Sequence, residues 1–298
     1  MSTMFKTLLP EAAPGWKVDI TTTGSSQAFR MYLGNTTDFT VDWGDNSQSI
    51  FNEAEGYKTH SYTNPGTYTL TMHGNTTTIN FYLGSPALNN IVTRIQNRIN
   101  GITGIISFNQ MFRQCVNLTG SIPNRMFHSF PNALTFNETF YGCSNLRGPI
   151  PSGLFSNNTS CISYLSTFQG CTSLDGIIPY DIFGQNSVCT TVKWAFRNTG
   201  LVGYIPENLF ASMSLLNDCT GTFLNDFAGT LTGFMYLPTT LFDNNALVGS
   251  FLNCFYGNTS MGGIAPELWN RIPVPDGAQC FRSCTSLSNF GSIPSNWK

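Results

Sequence analysis

FRQCVNLTGSIPNRMF at residues 112–127 is followed by FYGCSNLRGPIPSGLF at 140–155 and FQGCTSLDGIIPYDIF at 168–183. The leading Phe112, Phe140 and Phe168 stand 28 residues apart, as do Cys115, Cys143 and Cys171, and Pro123, Pro151 and Pro179. A fixed period of this length means one supersecondary unit stacked on copies of itself, each burying an apolar face it cannot bury alone. Four further copies are legible: FRNTGLVGYIPENLF from 196, FAGTLTGFMYLPTTLF from 227, FYGNTSMGGIAPELW from 255 and FRSCTSLSNFGSIPSNW from 281. The step of 31 from Phe196 to Phe227 places an insertion between the fourth and fifth copies. A Pro-rich stretch at 271–275 interrupts the sixth. The expectation is a mainly β chain in which residues 91–298 form a right-handed solenoid of about seven coils, with residues 91–107 as an incomplete first coil.

Residues 16–90 have another texture. Short alternating runs at 16–22, 28–33, 39–43 and 67–72 are separated by Gly, Asn and Pro, the pattern of a small β-sandwich. Residues 1–15 belong to neither pattern. Their Met4, Phe5, Leu8 and Leu9 form an apolar cluster with no place in a small sandwich, which marks them as a candidate anchor.

Charged residues make up only 10% of the chain and the net charge is −2 with no basic run, which argues against nucleic acid and anionic membrane as partners. No apolar stretch approaches the roughly 20 residues of a membrane span, and the first residues do not read as a secretory signal. The nine cysteines follow the repeat. Cys115, Cys143, Cys171 and Cys284 share one column with Thr199 and Thr230, and Cys161 and Cys189 share another with Ala133. A position that accepts Cys, Thr or Ala is a small inward-facing slot, so free buried thiols are expected rather than a disulfide framework or a zinc site.

Two resemblances follow from these residues. VDWGDNS at 41–47, with HSYTNPGTYTLTMHG at 60–74, resembles the polycystic-kidney-disease (PKD) type of immunoglobulin-like domain over about 35 residues. That likeness implies an extracellular spacer or contact module, with the Asp of the turn serving the turn. The unit F-x-x-C-x-x-L-x-G-x-I-P-x-x-x-F resembles the BspA-like leucine-rich repeat of bacterial surface and some phage proteins over about 190 residues, with an Ile-Pro step closer to the plant-type pattern.

No catalytic constellation emerges. Asp42 and Asp45 flank a tight turn and read as turn-makers rather than an acid–base pair. His60 belongs to the structural motif, and His73 and His128 have no visible partner in the sequence. No nucleophile elbow or phosphate loop appears, and no cofactor is implied. Sequons at Asn35, Asn75, Asn117, Asn137, Asn157, Asn158 and Asn258 are expected in so Asn- and Thr-rich a chain, where Asn turns form ladders to neighbouring backbone. Aromatics outside the columnar Phe positions are the candidate binding surface: Tyr141, Tyr180, Trp194, Tyr204 and Tyr256. Tyr141 and Tyr256 each follow a columnar Phe and should project alike.

These readings converge on a non-enzymatic structural and adhesive display protein. Its expected place is the surface of a bacteriophage particle, with other virion proteins or a host surface protein or glycan as partners. The alternative is an adhesin on a bacterial or protist cell surface.

Overall fold

β1 (Trp16–Thr22), β2 (Gln27–Leu33), β3 (Thr36–Asp42), β4 (Gln48–Phe51), β5 (Gly56–Tyr62), β6 (Gly66–Thr76) and β7 (Ile79–Asn80) follow one another through short turns. They belong to a computed structural model that describes residues 15–82, 84, 91–225 and 234–298. The chain is mainly β with almost no helix. One sheet runs β4-β3-β6-β1 and a second runs β5-β2-β7. Period-2 alternation decides which faces meet: β2 buries Phe29, Met31 and Leu33 and exposes Ala28 and Arg30 on its other face. The two sheets meet through Phe29 against Trp43, with ring centroids 6.4 Å apart.

The turn after β3 is held by its own side chains. Gly44 takes φ +80°, where a Cβ would stand 2.7 Å from the Thr69 carbonyl oxygen, so only glycine fits. The Gly44 amide donates to Asp42 Oδ1 (2.9 Å), and the Ser47 amide donates to Asp45 Oδ1 (3.0 Å). Asp45 Oδ2 lies 2.7 Å from His60 Nε2, and the His60 ring stacks on Trp43 at 4.7 Å. The Tyr62 hydroxyl donates to the Trp43 carbonyl (2.9 Å). Both carboxylates therefore serve the turn.

The first sheet does not stop at residue 90. β8 (Val92–Ile95) pairs with β1, and β9 (Ile102–Thr103) pairs with β6. Residues 91–107 thus extend the sandwich as well as start the repeat, since the Thr119 amide donates to the Thr93 carbonyl (2.9 Å). The ring under Phe112 comes from the sandwich: Phe81 lies 5.4 Å from Phe112 and 5.9 Å from Trp16. One continuous core joins the two parts.

Phe112, Phe140, Phe168 and Phe196 stack in a buried column, with centroids 5.6, 5.6 and 5.9 Å apart and ring planes within 11°. The fifth ring is Phe223, 5.8 Å from Phe196 and 5.4 Å from Phe255, and Phe281 follows at 5.5 Å. This corrects the register read from the sequence, which took Phe227 as the fifth ring. The steps are 27 residues from Phe196 to Phe223 and 32 to Phe255, so the insertion falls after the fifth ring rather than before it. Phe227 and Thr230 lie outside the described residues. A second column of Phe127, Phe155, Phe183, Phe210 and Phe242 packs beside the first.

The wall carrying the first column is built from turns. Each column Phe amide donates to the carbonyl before the next column Phe: Phe112 to Thr139 (2.8 Å), Phe140 to Thr167 (2.9 Å), Phe196 to Thr222 (3.0 Å). Between these bonds the chain closes on itself, as from the Cys115 amide to the Phe112 carbonyl (3.0 Å). Two residues before each ring the backbone is left-handed, at Gln110, Glu138, Ser166, Trp194, Gly221, Asn253 and Gln279.

The small-slot column is also a donor column. Sγ of Cys143, Cys171 and Cys284 donates to the carbonyls of Phe112, Phe140 and Phe255, each at 3.0 Å. Asn258 fills the same position and donates to the Phe223 carbonyl (2.7 Å). Asn158 and Asn245 hold a second turn in the same way, each donating to two carbonyls of the preceding copy. The sequon residues Asn158 and Asn258 are therefore buried in backbone ladders.

Two outcomes test this construction. Phe168→Ala should cost about 3–5 kcal/mol in denaturant unfolding, as truncation of a core aromatic does. Burial raises the Asp45 pKa, but hydrogen bonds from Ser47 and His60 outweigh it and hold the carboxyl below its ordinary 3.8. A depressed carboxylate stabilises the fold above its unfolded pKa and loses that contribution as pH falls through the folded value. Asp45→Asn should therefore destabilise at neutral pH by about 1 kcal/mol. The gap to the native chain should close in melts taken at pH values falling below 3.8.

Candidate functional site

Three arginines and two tyrosines are among the seven residues that follow the column phenylalanines: Arg113, Tyr141, Gln169, Arg197, Leu224, Tyr256 and Arg282. The column phenylalanines point inward, so this position turns outward on every copy except that of Phe223, where Leu224 is buried, and stacking brings its side chains together. The Arg113 guanidinium lies 4.7 Å from the Tyr82 ring centroid and 4.9 Å from that of Tyr141, and it pairs with Glu138. Further along, Lys193 Nζ stands 4.5 Å from the Trp194 ring centroid and the Arg197 guanidinium 6.0 Å from it. Arg282 lies 5.5 Å from the Tyr256 ring. Contacts at these distances are attractive because the ring face carries negative potential.

Trp194 occupies the left-handed column with φ +55°, a conformation unusual for so bulky a residue. Its ring lies across Gly221, the same position one copy on, where an added Cβ would come within 2.4 Å of Trp194 Cδ1. The glycine thus leaves room for the indole to lie flat along the stack. Around it opens a pocket of about 310 Å³, lined by Lys193, Trp194, Arg197, Thr220, Leu224, Leu252, Asn253, Tyr256 and Gln279.

Of the five aromatics singled out in the sequence, Tyr141, Trp194 and Tyr256 belong to this face, and the last two share the pocket. Tyr180 and Tyr204 do not. Tyr204 lies in β10 (Gly203–Tyr204), which pairs in parallel with β11 (Phe234–Leu237), itself paired with β12 (Gly262–Gly263). There the residue before each Ile-Pro-type step forms an outward row of Ile177, Tyr204, Tyr236 and Ile264, each at least 43% exposed. Tyr204 and Tyr236 meet edge to face at 5.8 Å, and Tyr180 is the most exposed of the five, at 79%. The sequence reading missed Lys193 and the arginines because it searched for rings alone, and Tyr82 because it stands before the repeat. Listing the residue after each column Phe exposes Arg113, Arg197 and Arg282 beside Tyr141 and Tyr256. The anchor residues Met4, Phe5, Leu8 and Leu9 lie outside the described residues.

All nine cysteines are free and buried. Burial pushes their thiols up, Cys161 and Cys284 to about 12, so none is held as a thiolate nucleophile at neutral pH. Among the described residues no group of three or more His, Cys, Asp or Glu stands where it could hold a metal ion, and no helix is long and apolar enough to cross a membrane.

Compared with family models, curated proteins and solved structures, the chain matches none.

The thiol geometry gives a direct measurement. The native protein at pH 8 should resist alkylation. After denaturation without reductant, mass spectrometry should count nine alkylated cysteines. A count near one would mean the thiols pair.

Proposed function

We propose that the protein is a non-enzymatic display and adhesion protein carried on a bacteriophage particle. In this reading a PKD-type immunoglobulin-like sandwich is joined to a right-handed, BspA-like leucine-rich-repeat solenoid. Its partners are other virion proteins and a protein or glycan on the host surface. The observation that carries the reading is the face of paired cations and aromatic rings, Tyr82–Arg113–Tyr141, Lys193–Trp194–Arg197 and Tyr256–Arg282, held on a continuously stacked core. Trp, Tyr and Arg are the residues that dominate recognition surfaces, and a stacked frame presents them at little entropic cost.

The thiols support the particle over an exported adhesin. Nine unpaired cysteines within one core suit a chain that folds in a reducing compartment and serves outside it later. Particles purified from the genome that encodes the chain should contain it at constant stoichiometry through a density gradient, as read by mass spectrometry. Deleting residues 2–12 should release it from those particles. Recovery of the chain on a cell envelope and not on particles would replace this reading with the cell-surface adhesin.

A further inference from the structure

The pocket beside Trp194 has a chemistry that narrows what it can take. Its floor and walls are apolar, from the indole of Trp194, the ring of Tyr256 and the side chains of Leu224 and Leu252. Above the indole stand two cations, Lys193 at 4.5 Å and Arg197 at 6.0 Å from the ring centroid. Arg282 adds a third beside Tyr256, its Nη1 donating to Gln279 Oε1 (3.2 Å). Among the described residues none that lines the pocket is acidic. The chain as a whole carries 16 Asp and Glu against 14 Lys and Arg, so a lining with two basic and no acidic described residues runs against its composition.

The remaining lining groups, Thr220, Asn253 and Gln279, offer hydroxyl and amide hydrogen bonding at the rim. A ligand that fits presents an anionic group to Lys193 and Arg197, an apolar ring face to the aromatics, and hydroxyls to the rim. A carboxylated sugar ring has all three. A nucleic-acid strand calls for a continuous basic groove along its backbone, whereas the cations of this face stand in separate groups, Arg113 apart from Lys193, Arg197 and Arg282. The indole is also fixed in advance: Gly221 gives it room, and its left-handed backbone is a strained position for a tryptophan.

We propose that this pocket binds a carboxylated saccharide, a uronic- or sialic-acid-type residue of a surface glycan. The proposal deepens the display reading and rests on it for its biological setting, but its chemistry is tested on the purified chain. Calorimetric titration would use trigalacturonate and sialyllactose as acidic probes, with maltotriose and lactose as neutral ones. At least one acidic probe should bind about tenfold or more tightly than its neutral counterpart, and added salt should weaken it. Trp194→Ala and, separately, Lys193→Gln with Arg197→Gln should each cost about tenfold or more in affinity. The melting midpoints and circular dichroism of these variants should match the parent chain, which separates loss of the site from loss of the fold.

Equal binding of neutral and acidic probes, or acidic binding that both variants retain, would overturn the inference. So would the absence of saccharide binding in a chain that still attaches to host cells, and in that case the display reading would stand. A chain that is absent from particles yet binds acidic sugar through Trp194 would sink the display reading and leave the pocket assignment intact.

Discussion

Phenylalanine rings of successive copies lie nearly parallel, with centroids 5.4–5.9 Å apart. Hydrogen-bonded backbones run about 4.8 Å apart, so rings carried on adjacent copies must slide slightly to stack, and an offset stack is the arrangement aromatic quadrupoles prefer. Backbone bonding and ring packing therefore ask for the same separation. With that distance set, the side chains on either side of the ring are fixed too. The residue before it is small and buried, as with Thr139, Thr167, Ala195, Thr222, Cys254 and Cys280, and the residue after it turns outward on every copy but that of Phe223, where Leu224 is buried. The outward row of arginines and aromatic rings is thus a by-product of the core.

Much of this was legible because the repeat is chemical as well as numerical. Strict spacing gave the phenylalanine, cysteine and Ile-Pro positions of the first three copies, and alternation placed the strands of the sandwich. The fifth copy misled for a physical reason. FAGTLTG from 227 imitates the Phe-x-Gly and Leu-x-Gly steps of FYGCSNLRG at 140–148, two residues closer together, but residue 226 is Asp, and a carboxylate does not suit the buried place before a column ring. Thr222–Phe223 satisfies that place, as Thr139–Phe140 and Thr167–Phe168 do. Small-then-Phe is a better key to the register than Phe-then-Gly.

Other features were invisible for want of pairing information. That Phe81 of the sandwich underlies Phe112 depends on a contact across 31 residues with no repeat text around it. That Trp194 and Tyr256 share a pocket depends on a register in which only the copy of Phe223 stands between theirs. The cations were overlooked because only 10% of the chain is charged, and scattered arginines look like ordinary solubilising residues. Stacking converts that scatter into a cluster: Arg113, Lys193, Arg197 and Arg282 all lie against rings on one face.

The one-way sense of the bonds in the turn wall has a separate consequence. In each early copy, four alternate amides donate toward the C-terminal neighbour, as from Phe108, Gln110, Phe112 and Gln114 to Thr135, Asn137, Thr139 and Tyr141. An ordinary sheet alternates these directions and cancels its peptide dipoles, whereas this wall adds them from copy to copy, as an α-helix does along its axis. The wall is therefore electrically polarised along its length, with its positive sense toward the C-terminal copies. Because that polarity resides in peptide groups, it does not titrate, and no change of pH removes it.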